Sequence, residues 1–241
     1  MKKKIVALCL VLALALTAIG GATLAYFTDT DEDVNTMTLG NVKIDQLEKD
    51  KEGEDFKDQP LFPMVDKRED NDPVVDKDGY FNTKMENVID KVITVKNNGT
   101  VPAYVRTIIL FETNAEYEKD TDNVLRDEAT IFNTYIGCLG KGVTYTDDVV
   151  EIGGVKYIIA YKVYEKALEA EEVSEPSLKQ FFLSPDADNE VTKLFGNEYT
   201  ILALSQGVQT EGFGTGEGAA AAALNEAFGE ITAAKVAEWF A

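Results

Sequence analysis

From residue 88 onward, apolar and polar residues alternate in short runs broken by glycine, asparagine and proline. Residues 88–96 are a β-branched run, and 101–111 are a second one. Between them, Asn97-Asn98-Gly99-Thr100 supplies the Asn-Gly pair that favours a tight turn, so the three segments predict a hairpin. Pro102 has no N–H to give to a ladder and belongs at a strand start or an edge. Bulky residues on both faces of 101–111 suit the middle of a sandwich. Short strands follow at 135–139, 143–150, 155–164, 178–183 and 199–209. Gly140-Lys141-Gly142, Gly153-Gly154 and the stretch 184–188 read as turns between them. In 155–164, Tyr157, Ile159, Tyr161 and Val163 share one face. Upstream, Met37 and Leu39, then Val42 and Ile44, alternate on either side of Gly40, which reads as a strand with a bulge at the glycine. Residues 113–134 are polar, with a short helix expected over 124–132. Closely spaced strands with no regular βαβ alternation predict a mainly β, antiparallel β-sandwich.

The end of the chain changes period. Residues 212–218 are a glycine-rich linker, and 219–240 read as helical. Leu224, Phe228 and Ile231 fall at i, i+4 and i+7, and Val236, Trp239 and Phe240 form a second cluster. Gly229 is expected to break the helix. The tail is expected to pack on the sandwich; the alternative is a helix that binds a partner.

The start of the chain has three parts. Lys2, Lys3 and Lys4 are basic, 5–19 is almost wholly apolar, and Gly20-Gly21-Ala22-Thr23-Leu24-Ala25 is built mostly of small residues. This order predicts a secretory signal peptide over 1–25, cut between Ala25 and Tyr26. The apolar run is short for a membrane span of about 20 residues. The predicted organisation is a signal peptide (1–25), an N-terminal segment (26–46), a sandwich over 47–211 and a linker with helical tail over 212–241. Within the sandwich, 47–87 is dominated by charge and carries Pro60, Pro63 and Pro73. It reads as an exposed loop or a partly ordered insertion, with 61–65 able to cover a core edge.

Composition narrows the function. The 241-residue chain carries a net charge of −20. Past residue 25, 20 Lys and Arg stand against 43 Asp and Glu, a net charge of −23. That balance disfavours nucleic acid, which needs a basic footprint, and anionic membrane surfaces. Cys138 is the only cysteine after the predicted cut, so no intrachain disulfide is available and the core must carry the stability. There is no histidine, which excludes Ser-His-Asp and Cys-His machinery and the HExxH zinc site.

The remaining candidate chemistry is thin. Gly214-Thr-Gly216-Glu-Gly218-Ala219 lacks the third glycine, the following strand and the acid of a dinucleotide turn. Asp29, Asp31 and Asp33 have the alternating acids that open a calcium loop. Val34 stands where that loop needs glycine, and Gly40 where it needs a bidentate glutamate. Weak Ca2+ binding there competes with a plain solvated charge run, and the same holds for Asp186, Asp188 and Glu190. No carboxylate pair is marked out for glycoside hydrolysis. No cofactor and no catalytic residue are assigned, so the chain reads as a non-enzyme.

Three segments resemble one family, in the family's order. They are Gly20-Gly21-Ala22-Thr23-Leu24-Ala25-Tyr26-Phe27-Thr28-Asp29 with Asn35-Thr36-Met37-Thr38-Leu39-Gly40-Asn41-Val42; then 95–106, from Val95 through Asn98, Gly99 and Tyr104 to Arg106; then Val208-Gln209-Thr-Glu-Gly-Phe213 with the alanine-rich segment ending in Phe228. On these residues the chain resembles the TasA/camelysin family, secreted fibre-forming proteins of Gram-positive biofilm matrices whose signal peptide is cut by a SipW-type peptidase. The resemblance implies a jelly-roll sandwich that polymerises by strand exchange: the N-terminal segment freed by cleavage completes a neighbour's sheet. By position that segment includes Tyr26, Phe27, Met37, Leu39, Val42 and Ile44, and the hairpin motif is Asn98, Gly99, Tyr104 and Arg106. Two departures stand out. The charged stretch 47–87 replaces the family's usual Pro-Gly turn, and without histidine the peptidase activity reported in the family has no carrier here.

The expectation is a secreted, extracellular fibre subunit that meets a SipW-type peptidase during export and touches membrane only through its signal peptide. The alternative is a non-polymerising adhesin or accessory protein that anchors fibres; a camelysin-like metalloendopeptidase comes third.

Overall fold

The computed structural model describes residues 28–31, 42–113, 136–187 and 199–241. Its strands are β1 (Thr28–Asp31), β2 (Ile44–Lys49), β3 (Val65–Asp66), β4 (Met85–Glu86), β5 (Ile89–Asn97), β6 (Ala103–Glu112), β7 (Ile136–Leu139), β8 (Thr144–Ile152), β9 (Val155–Val163), β10 (Leu178–Leu183) and β11 (Ile201–Gln209). Two helices follow, α1 (Ala219–Phe228) and α2 (Ala233–Trp239). The fold is mainly β and antiparallel. One sheet has the order β1-β11-β6-β9-β8 and the other β2-β5-β10-β7, while β3 and β4 form a small ribbon. The signal peptide, Tyr26, Phe27, Met37, Leu39, Gly40 and the helix expected over 124–132 lie outside the described residues.

β6 is the centre of the fold because neither of its faces suits water. Ala103, Val105, Ile109 and Phe111 point between the sheets, where they join Val42, Ile44, Ile93, Val95, Ile158 and Leu178. Tyr104, Ile108 and Leu110 point the other way, beneath the helical tail, with Val150, Tyr157, Ile159, Leu204 and Val208. Ala220, Ala223 and Leu224 of α1 and Val236 of α2 close that outer layer. The tail is therefore a third layer on the five-stranded sheet. Gly229, at φ 94°, separates the two helices, a backbone region in which glycine alone is unstrained. At the β8–β9 hairpin, Gly153 and Gly154 take φ 62° and 86°, as a two-residue turn of that hand requires.

Three expectations need correction. First, 88–96 and 101–111 are not a hairpin: β5 lies in the four-stranded sheet and β6 in the five-stranded one. β6 already pairs with β11 on one edge and β9 on the other, so no edge is left for β5, and 98–102 turn the corner between layers. Second, a strand runs from Ile44 to Lys49, into the charged stretch; the part of the expected strand before Val42 lies outside the described residues. Ile44, Gln46 and Glu48 alternate toward the interior, and the charges that disguised the strand are partnered there. Third, 47–87 is exposed over most of its length, as expected, but it is tied to β10 at Met64 and Phe81. The Met64 N–H donates to Leu183 O at 2.8 Å, the Phe81 N–H donates to the Gln180 side-chain oxygen at 2.6 Å, and the Phe81 and Phe182 rings meet edge to face at 5.3 Å.

The insertion is held by carboxylates, which sets its pH response. The Arg68 guanidinium lowers the pKa of Asp66, the Lys84 ammonium that of Asp72, and the Tyr80 N–H that of Asp76. A lowered acid contributes fully above its unfolded value of 3.8 and loses that contribution as pH falls through the folded value. Amide protection, measured against the unfolded chain at the same pH, should therefore fall across 66–84 below that pH while β6 stays protected. Protection across 66–84 that does not change with pH would contradict this.

Candidate functional site

Among its described residues, the segment just after the predicted cleavage point pairs with the outer edge of β11. β1 pairs antiparallel with it: Thr28 opposite Val208, Asp29 opposite Gly207, Thr30 opposite Gln206 and Asp31 opposite Ser205. Without β1, this edge would present the unpaired N–H and C=O groups of β11, which is what an added strand binds. The ladder is short. At about 0.5–1.5 kcal/mol net per hydrogen bond, four residues hold β1 far less firmly than β6 is held by two long neighbours and two apolar faces. β1 belongs to the part of a fold that opens first.

The other edge of the same sheet is built differently. On β8 the register slips between Tyr145 and Val149, and the Asp148 N–H folds back onto Thr146 Oγ1 at 3.2 Å. A bulge of this kind discourages edge-to-edge pairing. Strand addition is thus easier at β11 than at β8.

Beneath the β11 edge the sheets are fitted closely. At Gly207 a Cβ would lie 2.9 Å from Ile44 Cγ2, and Ile44 is fully buried with Val42, Val95 and Val105. Gly207→Val should push Ile44 out of place and destabilise the protein by about 1–3 kcal/mol, the usual range for overpacking a core. Denaturant melts measure this; no change in midpoint would mean that Ile44 has room to move.

Between the two inner apolar clusters runs a polar layer. Thr107 and Ser205 share a hydrogen bond of 3.1 Å, and Ser205 Oγ donates to Gln46 Oε1 at 2.8 Å. Gln46 Nε2 donates to Glu48 Oε1 at 3.1 Å and to Ala203 O at 3.2 Å. Glu48 pairs with Lys91, whose ammonium sits 4.1 Å from the Phe56 ring centre. β2 is thereby tied both to β5 beside it and to β11 in the opposite sheet.

Above the same β11 strand lies Arg106, 1 % exposed. Its Nε donates to Gln206 Oε1 at 2.7 Å, Nη1 to Asn225 Oδ1 at 2.8 Å and Nη2 to Gly229 O at 3.0 Å. The Trp239 and Phe228 rings lie 5.0 and 5.8 Å from its central carbon. All three oxygens are neutral, and burial lowers the guanidinium pKa to about 10. One side chain therefore reaches α1, the α1–α2 break and α2 together.

The residues expected to matter fall into separate places. Ala25, Tyr26, Phe27, Met37, Leu39 and Asp33 lie outside the described residues. Val42 and Ile44 are core residues of their own chain. Asn98 bonds to Asp45 at the corner between layers, and Gly99 donates to Asn97 Oδ1 at 2.9 Å. Asn97 organises that corner: its Nδ2 donates to Val101 O and Leu168 O, both at 2.9 Å. Tyr104 donates to Gly214 O at 3.0 Å, and Arg106 holds the tail. Asp29 and Asp31 stand on β1. Among the described residues no group of three or more His, Cys, Asp or Glu side chains is placed to hold a metal ion. Burial raises the Cys138 thiol pKa far above its ordinary value, which keeps it in the less reactive thiol form.

Gln46, Ser205, Gln206 and Asn225 did not stand out in the sequence, and Asn97 did so only as a turn residue. A signal was present for Gln46, which shares a face with Ile44 by period two. Comparison with family models, with curated proteins and with solved structures finds no match.

Proposed function

We propose that this chain is a secreted structural subunit of an extracellular fibre, assembling by strand exchange after its signal peptide is removed. The observation that carries the reading is the position of β1. It starts at the third residue of the predicted mature chain and fills an edge of the five-stranded sheet by four residue pairs. The same edge on a second copy offers the same ladder. Residues 32–41, ten in all, span at most about 35 Å when extended, a reach that lets β1 pair with a neighbouring copy. Donor and acceptor are different surfaces, so each copy gives one strand and takes one, the head-to-tail arrangement that grows into open filaments.

The resemblance of the junction, the 95–106 stretch and the 208–228 stretch to the TasA/camelysin family supports the same reading. So does the strand order. A jelly roll pairs the first strand with the last and works inward, and β1-β11-β6-β9 and β5-β10-β7 follow that scheme. The departures are β8, which pairs with β9 rather than β7, and β2, added outside β5.

The exchange unit is narrower than 26–45. Val42 and Ile44 are fixed in their own core, so exchange of β1 alone leaves them in place. The net charge of −23 past residue 25 makes copies repel at low salt. Added salt shortens the Debye length to about 8 Å at 0.15 M and should speed growth.

Electron microscopy of purified protein beginning at Tyr26, over a range of pH, salt and calcium, tests the reading. Filaments support it. Monodisperse particles under every condition refute it, and monodisperse protein that co-sediments with fibres of another subunit selects the accessory role.

A further inference from the structure

We propose that Gln46 is a stop on the β11 edge, fixing the length and register of the strand that β11 accepts. This rests on the reading of that edge as the acceptor. β11 runs from Ile201 to Gln209, and the four residues of β1 pair with it from Val208 to Ser205. Two residues beyond that limit, Gln46 Nε2 takes Ala203 O at 3.2 Å, and Gln46 Oε1 accepts from Ser205 Oγ at 2.8 Å.

A strand continuing past Asp31 in the same register would bring Asp33 opposite Ala203. It would need the carbonyl that Gln46 already holds. Gln46 cannot easily yield, because it is braced from both sides. Ser205 is bonded to Thr107 at 3.1 Å, and Gln46 Nε2 is bonded to Glu48, itself paired with Lys91. Thr107 and Ser205 are fully buried and Lys91 is 5 % exposed. The side chain comes from β2, the strand that continues the N-terminal segment. Each subunit thus carries its own ruler for the strand it receives. A one-residue slip would turn every donor side chain to the opposite face, so a fixed end point has a clear use at an edge that pairs only four residues.

Engineered disulfides read the register in a chain beginning at Tyr26, with Cys138→Ser throughout. Directly opposed residues of antiparallel strands bring Cα atoms about 4.5–5.5 Å apart, within the range a disulfide spans. Thr28→Cys with Val208→Cys traps the observed register; Asp33→Cys with Ala203→Cys traps the extended one. With Gln46 intact, the first pair should close quickly and the second slowly. Gln46→Ala should speed the second about five- to tenfold, the effect of releasing one neutral hydrogen bond. Gln46→Leu, which keeps the bulk but donates nothing, should speed it as well. The stop is wrong if the Asp33/Ala203 pair closes as fast as the Thr28/Val208 pair while Gln46 is present, a comparison that needs neither variant to fold. It is also wrong if folded Gln46→Ala and Gln46→Leu proteins close the extended pair no faster than the parent. Both traps close within one chain, so a failure to form fibres would sink the fibre reading without deciding this one.

Discussion

Arg106→Ala should lower stability by about 2–4 kcal/mol and release the helical tail. Two effects oppose each other. The substitution removes a buried cation, which relieves a desolvation cost. It also leaves the oxygens of Gln206, Asn225 and Gly229 without their donor, at about 1–3 kcal/mol for each that stays buried and unpaired. It further empties the space between Trp239 and Phe228. The losses outweigh the relief because the Gln206 oxygen stays fully buried and the space beneath the tail is emptied, while Asn225 is exposed and can be rehydrated. For a chain of this size that is about 5–15 °C in midpoint, at about 2–4 °C per kcal/mol. α1 has ten residues and α2 seven, too short to persist alone in water, so the tail should melt rather than detach as helices. Limited proteolysis should then cut within 212–218 and 229–232. Arg106→Met fills more of the space and should lose less. Wild-type proteolytic resistance in Arg106→Ala would show that the apolar contacts alone hold the tail.

The paired substitution Asp29→Pro with Thr30→Pro should abolish filament growth while leaving the monomer folded. Residues along a strand direct their N–H groups alternately to either side. Two consecutive prolines therefore remove at least one donor that β1 gives to β11, wherever the phase falls. The loss touches a four-residue ladder and spares β6, so melting should change by no more than about 1–2 kcal/mol. Wild-type chains should not rescue the variant, which lacks a donor, but its intact β11 edge should still accept a wild-type strand and cap the growing end. Filaments of normal length from the variant alone would mean that the copies associate through another surface.

Much of the architecture was legible because strand signals are local. The run 103–112 has bulk on both faces and lies in the middle of its sheet, covered on both sides. Gly229 marks the helix break, and Gly153-Gly154 the hairpin. Sheet membership was not legible. Asn97-Asn98-Gly99-Thr100 suits a hairpin turn and a corner between layers equally well, and only the neighbours of β6 decide. Charge misled at β2, where Glu48 read as the start of a loop although period two placed it, like Gln46, behind Ile44. Arg106 belongs to a motif visible in the sequence, but its role depends on Asn225 and Gly229, more than a hundred residues away. Such pairings follow from topology, which single-residue patterns do not carry.

The central claim is that β1 of one copy pairs with β11 of another. The direct test mixes two chains beginning at Tyr26, both with Cys138→Ser, one carrying Thr28→Cys and the other Val208→Cys, under conditions that give filaments, followed by oxidation and non-reducing electrophoresis. These positions face each other in the β1–β11 ladder. Strand exchange requires a disulfide-linked species containing one chain of each kind, absent when either chain is oxidised alone. Filaments from the mixture with no such cross-link, while a single chain carrying both cysteines still closes internally, would contradict it.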